Sequence, residues 1–483
     1  MKKIYGAIVL LLVLGSCVGP KYTEPETNVA ESYKQYMYDT LVSNTDTVVN
    51  LQWWKFFDDP NIDTLIDYAL EYNKDVLMAA SRIEQSRAIL GMTKADQWPG
   101  FSMNAGTSFG EVGGISNNSS QAGLVMNWEL VFWGKYRAAT EGARAELASS
   151  EYGLRSLQIS IISSVASNYY MILDLENRLE ISRKTLGSRD SAVQIIDARY
   201  KGGIVPEIDL NQAQINQAIA ESAVPYYERQ LAFANNALAV LIGIKPQLFL
   251  KNNIKLDSLS MNPNIPYGLP SALLLRRPDI LASREAYHAQ FKKINVAVAQ
   301  RLPSISITGM LGGSSMALGA ITGTGLAWNA GASLLGPVFQ FGKNKRRVDM
   351  ERARAKEMLF RYENTINQSF REVEDALVSI QTLKKEMAAK EKQAVAAINA
   401  ERLSNLRYDK GVSSYLEVLD NQRSSFDAQL GLSQIKRELM DAYTNLYKAL
   451  GGGWLSAEEE EQAKKAEEEQ AKTNEEESSK TKK

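Results

Sequence analysis

Few residues in this 483-residue sequence could do chemistry. It holds one Cys and one His, Cys17 and His288. A structural zinc site takes about four such ligands and an internal disulfide takes two Cys, so neither can be built, and no cofactor is expected. Gly342-Lys343-Asn344 is not a phosphate loop, because Pro337 stands where its first Gly would be and no Ser or Thr follows the Lys. A net charge of −1 provides no basic face for nucleic acid. What remains is a set of charges at Glu417, Asp420 and Arg423, spaced i, i+3 and i+6 on broadly one face of a helix. By itself that pattern reads as an ordinary solvated ladder of little energetic worth. With no catalytic constellation, an enzyme is the least expected class.

The elements that would carry those charges are unusual. Lys343 to Lys410 is 68 residues without Gly or Pro. Its large apolar residues, from Leu359 through Ile366, Val373 and Ile380 to Met387, recur at an average of 3.5 residues, the period of a coiled-coil seam. Such a helix is roughly 100 Å long. A second copy lies upstream, since Trp133-Gly134-Lys135 and Phe341-Gly342-Lys343 are 208 residues apart (341 − 133). Arg199-Tyr200 with Gly203 and Arg407-Tyr408 with Gly411 keep that offset. Asp75-Val76 and Asp279-Ile280 pair at an offset of 204 (279 − 75). The chain is an internal duplication. Gly203 and Gly411 end the long helices, and Pro206 opens the next helix in the first half.

Each half also contains a period-two hairpin. Phe101, Met103 and Ala105 alternate with Ser102, Asn104 and Gly106, and Leu124, Met126 and Trp128 alternate on the return. The second half repeats this at Ser304–Thr308 and Leu326–Gly331, with aromatic residues near the strand ends. The strand lengths suit a tilted membrane strand, and the aromatics suit an interfacial girdle. No stretch offers a spanning helix, so membrane passage is expected through strands. Four strands cannot close a barrel, and open edges are not tolerated in lipid. The hairpins must be completed by other copies of the chain, and three copies give about 12 strands.

The N-terminus reads as a targeting signal: Lys2-Lys3, an apolar run from Ala7 to Leu14, then Leu14-Gly15-Ser16-Cys17. The sole Cys after small residues matches a bacterial lipobox, with cleavage leaving Cys17 first and acylated.

At this point the residues resemble a known family. Cys17-Val18-Gly19-Pro20-Lys21-Tyr22, Trp53 with Phe57 and Pro60, Arg276-Arg277-Pro278-Asp279-Ile280, Arg407-Tyr408 with Gly411, and Leu419-Asp420-Asn421-Gln422-Arg423 together look like the TolC/OprM outer membrane efflux channels, in their lipoprotein (NodT-like) branch. The resemblance implies a homotrimer with a 12-stranded β-barrel and a long periplasmic α-barrel tunnel. It implies docking to a periplasmic adaptor (membrane fusion protein) and an inner-membrane pump, and anchorage in outer membrane lipid. It implies a periplasmic gate at Glu417, Asp420 and Arg423, which threefold symmetry would repeat as rings; carboxylate rings favour cations. It also implies that Tyr408 and Asp209 hold the end closed near the turns at Gly203 and Gly411, with Ser413 in place of a family arginine.

The expected plan is mainly α with a membrane β portion. It comprises a signal peptide (1–16), a lipid-anchored extended segment (17–60), a first repeat (61–250), a linker (251–277), a second repeat (278–455) and a disordered Glu/Lys tail (456–483). Each repeat runs helix, hairpin, long helix, helix. The hairpins fall at 99–132 and 303–340, the long helices at 134–201 and 343–410, and the closing helices at 206–242 and 414–450. The opening helix should run unbroken from about Asn61 to Asp96, and Pro225 should kink or break the helix that contains it. The leading function is a passive exit duct for small molecules. A protein-secretion duct and a lipid-anchored coiled-coil scaffold without a pore are the alternatives.

Overall fold

A computed structural model describes residues 19–25, 60–113, 115–116, 119–245, 256, 276–315 and 326–452. Cys17, the Trp53–Phe57 anchor, most of the linker, the second hairpin tip (316–325) and the charged tail lie outside the described residues. In chain order the elements are α1 (Pro60–Tyr72), α2 (Lys74–Ala95), β1 (Gly100–Ser108), β2 (Glu111–Val112), β3 (Ile115–Ser116), β4 (Ser119–Leu130), α3 (Lys135–Lys201) and α4 (Glu207–Leu241). The second half supplies α5 (Pro278–Ala299), β5 (Ser304–Ser315), β6 (Ala327–Leu335), α6 (Lys343–Asp409) and α7 (Tyr415–Ala449). Two compact units are distinguishable, and both long helices contribute to each.

The first unit is Met1–Thr27, Ala80–Gly153 and Asp279–Thr365. It contains one four-stranded antiparallel sheet in the order β1-β4-β5-β6. The central β4–β5 pairing joins the two hairpins, and Trp133 Nε1 donates to the Pro303 carbonyl at 2.6 Å beside that junction. Register separates the residues by face, because directly opposed residues share one. Phe101–Met126, Met103–Leu124–Leu311–Trp328, Trp128–Ile307 and Ile305–Leu334 line an apolar face. Asn127–Thr308 and Glu129–Ser306–Ser333 lie on the other, with Asn104 and Ser102. The outer strands β1 and β6 are exposed along their whole length. Among the described residues no helix is long and apolar enough to cross a membrane.

Within the same unit, residues 19–25 lie on α5. Tyr22 stacks on His288 with ring centres 4.2 Å apart and meets Phe291 edge-on at 5.6 Å. Arg284 pairs with Glu24 at 3.1 Å. His288, which the sequence left without a partner, is therefore a packing residue.

The second unit is Asn28–Ala79, Leu154–Pro278 and Ile366–Lys483. Its core draws Ile62, Ile66, Val165, Tyr170, Leu173, Leu238, Val373, Leu377, Leu439 and Tyr443 from α1, α3, α4, α6 and α7. The helix expected from Asn61 to Asp96 is two helices, broken at Asn73. The break has a tertiary cause. The buried Asn73 side chain donates to the last carbonyl of α4, Leu241, at 2.8 Å, and its Oδ1 accepts the amides of Asp75 and Val76 at 2.8 and 3.2 Å. One residue thus caps the end of α4 and the start of α2. At the offset of 204 (277 − 73), Arg277 caps the corresponding helix end of the second half. Its Nη1 donates to Ala449 O at the end of α7 at 2.9 Å and lies 2.8 Å from Glu372. The expected break at Pro225 does not occur, since α4 is continuous from Glu207 to Leu241. Pro225 is exposed, so water can take the carbonyl that its missing N–H leaves free.

Candidate gate at the helix turns

The two turns joining long helices to their successors are built identically. After α3, Gly203 at φ +72° donates to Tyr200 O and Ile204 N donates to Arg199 O. After α6, Gly411 at φ +71° donates to Tyr408 O and Val412 N donates to Arg407 O. Both are Schellman closures, which place glycine in the left-handed region. No atom lies within 4 Å of where a Cβ would stand at either glycine, so backbone conformation alone selects the residue. Pro206 and Ser414 then open α4 and α7 with nearly equal dihedrals, φ −75° ψ 158° and φ −74° ψ 157°. Ile196, Leu210, Ala213, Tyr415, Val418 and Leu419 form one apolar cluster beneath both turns.

Over that cluster sit the charged residues. Arg407 Nε lies 3.3 Å from Glu417 across the α6–α7 turn. Arg199 lies 3.5 Å from Asp409, and its guanidinium stands 5.1 Å from the Tyr408 ring centre. Tyr408 also contacts Tyr415, with ring centres 5.2 Å apart. Burial, reinforced by the fields of Tyr408 and Asp209, pushes the Tyr415 hydroxyl up to about 12, so it stays protonated at any physiological pH.

The structure brings together some of the expected residues and separates others. Glu417 is partnered by Arg407, not by Arg423. Arg423 turns instead toward Asn216 of α4, Nε to Oδ1 at 3.4 Å. Asp420 is exposed on α7, with Leu416, Arg423 and Asp427 exposed on the same side. Tyr408 and Asp209 share no hydrogen bond. The Tyr408 hydroxyl is buried with no hydrogen-bond partner, as is the hydroxyl of Ser413. Sequence reasoning did not assign Arg199 and Arg407 to the site. Their signal was nonetheless visible, because both belong to the Arg-Tyr pair that repeats at 208 residues.

Comparison with known proteins identifies the family. The family model described as outer membrane efflux protein matches residues 65–244 and 269–452, one segment per half. The chain is 31% identical over 462 residues to outer membrane protein OprJ of Pseudomonas aeruginosa, covering 93% of this chain and 95% of that one. It is 31% identical over 458 residues to the cation efflux system protein CusC of Escherichia coli, covering 94% and 99%. Among solved structures, the outer-membrane channel OprN superposes with a TM-score of 0.83 at 26% identity, over 91% of this chain and 100% of that one. The chain belongs to the outer membrane efflux protein family and is an outer membrane efflux channel, with the α-barrel and β-barrel fold of those channels.

Proposed function

We propose that three copies form one conduit, and that it serves passively as the outer membrane exit of a tripartite pump whose adaptor and inner-membrane transporter supply energy and selection. The observation that carries this reading is the sheet: one apolar face, one polar face, and two fully exposed edges at β1 and β6. A sheet with open edges cannot rest in lipid, whereas edge-to-edge pairing of copies removes every edge. An antiparallel four-stranded sheet allows this, because β6 of one copy runs opposite to β1 of the next. A second observation points the same way. Ile208, Ile215, Ile219, Tyr226, Phe233 and Val240 are exposed along α4 at steps of seven and four, the spacing a neighbouring helix covers. A pore-free scaffold explains the helices but gives the two-faced sheet no purpose, and nothing here calls for an enzyme.

In this reading Cys17 carries the lipid, and Glu417, Asp420 and Arg423 form the periplasmic gate, with Tyr408, Asp209 and the turns at Gly203 and Gly411 setting its position. Exposed carboxylates repeated by threefold symmetry would make an acidic ring selective for cations. The experiment is single-channel recording of purified protein in planar bilayers. Wild type should show small cation-preferring currents. The E417A/D420A variant should conduct more and discriminate less, since it loses both carboxylates and the Arg407–Glu417 tie. Equal currents and equal selectivity would remove these residues from the gate.

A further inference from the structure

Arg189 of α3 is 2% exposed, yet only part of its guanidinium is satisfied. Nη1 donates to the Asn216 carbonyl of α4 at 2.6 Å, and the group lies 5.1 Å from the ring centre of Phe426 on α7. Nε and Nη2 are buried without a hydrogen bond. Asn216, itself 1% exposed, extends both ends of its side chain to α7. Its Nδ2 donates to Gln422 Oε1 and its Oδ1 accepts from Arg423 Nε, each at 3.4 Å. One buried polar node therefore joins α3, α4 and α7, and its outer member is a residue of the candidate gate.

The duplication reproduces the turns but not this node. The offset of 208 carries Arg189 to Ala397 (189 + 208) and Asn216 to Ser424 (216 + 208), and carries Phe426 back to Ala218 (426 − 208). The node fastens one side of α7 only. Leaving two nitrogens of a buried cation, with three N–H groups between them, unpaired is costly, so the arrangement is poorly bound for its burial. An alternative acceptor is close at hand. The Glu401 carboxylate of α6 acts on Arg189 electrostatically without bonding to it. Glu401, Arg189, Ser188 and Gln429 line a common groove.

We propose that Arg189 is a positioning residue of the gate: a latch that holds α7 against α3 and α4 in this conformation and passes from the Asn216 carbonyl to the Glu401 carboxylate when the α6–α7 turn moves. The proposal rests on the gate reading above and extends it to buried residues behind the pore charges. E401Q leaves the bond to the Asn216 carbonyl intact but weakens the alternative partner, and should lower open probability about tenfold, the factor carried by one charge-assisted hydrogen bond. R189M removes the partner of both states, so adding E401Q to it should change nothing further. E401Q, R189M and the double variant are to be recorded as purified full-length assemblies in planar bilayers, with thermal dissociation of the assembly as a control.

An E401Q protein that opens as readily as wild type or more so, or an E401Q effect that persists in full when R189M is also present, would overturn the latch. If R189M fails to assemble, the sign of the E401Q effect decides alone. Recording E417A/D420A beside them separates the two ideas. Altered currents in that variant, with none in R189M or E401Q, would leave the gate standing and remove the latch. Unaltered currents in all three would remove both.

Discussion

The β4–β5 junction supports a quantitative test. Gly123 and Gly312 oppose each other there on the polar face of the sheet. A Cβ on Gly312 would stand 2.2 Å from Ala122 O and 2.5 Å from Gly123 Cα. A Cβ on Gly123 would stand 2.7 Å from Leu311 O. These obstacles are backbone atoms of a paired strand and cannot rotate away. Reaching even 3.0 Å requires the Gly312 strand to move 0.8 Å (3.0 − 2.2) in the middle of its ladder. Overpacking of this kind costs about 1–3 kcal/mol, and the entropy that Ala removes from the unfolded chain returns about 0.4–1 kcal/mol. The net expectation for G312A is a loss of about 1–2 kcal/mol per chain. G309A is the control, three residues away in the same strand, where a Cβ meets Met126 side-chain atoms at 3.6 and 3.7 Å and Asn329 O at 3.9 Å, all ordinary contacts. Urea unfolding of detergent-solubilised protein, followed through tryptophan fluorescence, is the assay. If G312A and G309A unfold at the same denaturant concentration, the close approach of the two strands is not as described.

Three further outcomes follow from the packing. N73A strips caps from two helix ends in one step, and should destabilise the second unit by about 2 kcal/mol or more in denaturant melts. The Glu285 carboxyl is held below the usual carboxylate range, chiefly by its hydrogen bond with His288 and further by Arg284, with burial opposing them. A depressed folded value means the unfolded chain binds more protons. The stabilisation is therefore complete above pH 4.5, the ordinary value, and is lost as pH falls below it, so E285Q should flatten the acid side of the stability profile. Y22A removes the ring stacked on His288 and facing Phe291, and should make the bonds around Lys21 and Glu24 accessible to limited proteolysis without changing the channel currents.

The sequence displayed the repeating parts of this molecule more readily than the exceptional ones. The 67 residues of α6 show an absence of breakers and a sustained seam, and both are visible in the sequence. The strands declared themselves by period two, and register then sorted the same residues into an apolar and a polar face. The turn glycines were legible because Gly suits the left-handed position at the least steric cost.

What escaped was decided by partners distant in the chain. Nothing local marks Asn73 as a break, because the helical pattern continues across it; the carbonyl of Leu241, 168 residues away, makes the difference. Pro225 reads as a break and is not one, since its face is solvated. The same limit applies at the candidate gate. Spacing put Glu417, Asp420 and Arg423 on one helix, but could not say that Glu417 would pair with Arg407 across the turn, or that Arg423 would bond to Asn216. Arg189 carried no sequence signal at all, because its role exists only where α3, α4 and α7 meet.

The account depends most on a chain whose four strands are incomplete alone. Native mass spectrometry of the complex released intact from outer membranes tests this directly. A mass of three chains is the result expected, with no folded single chain surviving once the complex is taken apart. A stable, membrane-embedded species containing one chain, with β1 and β6 still exposed, would contradict it.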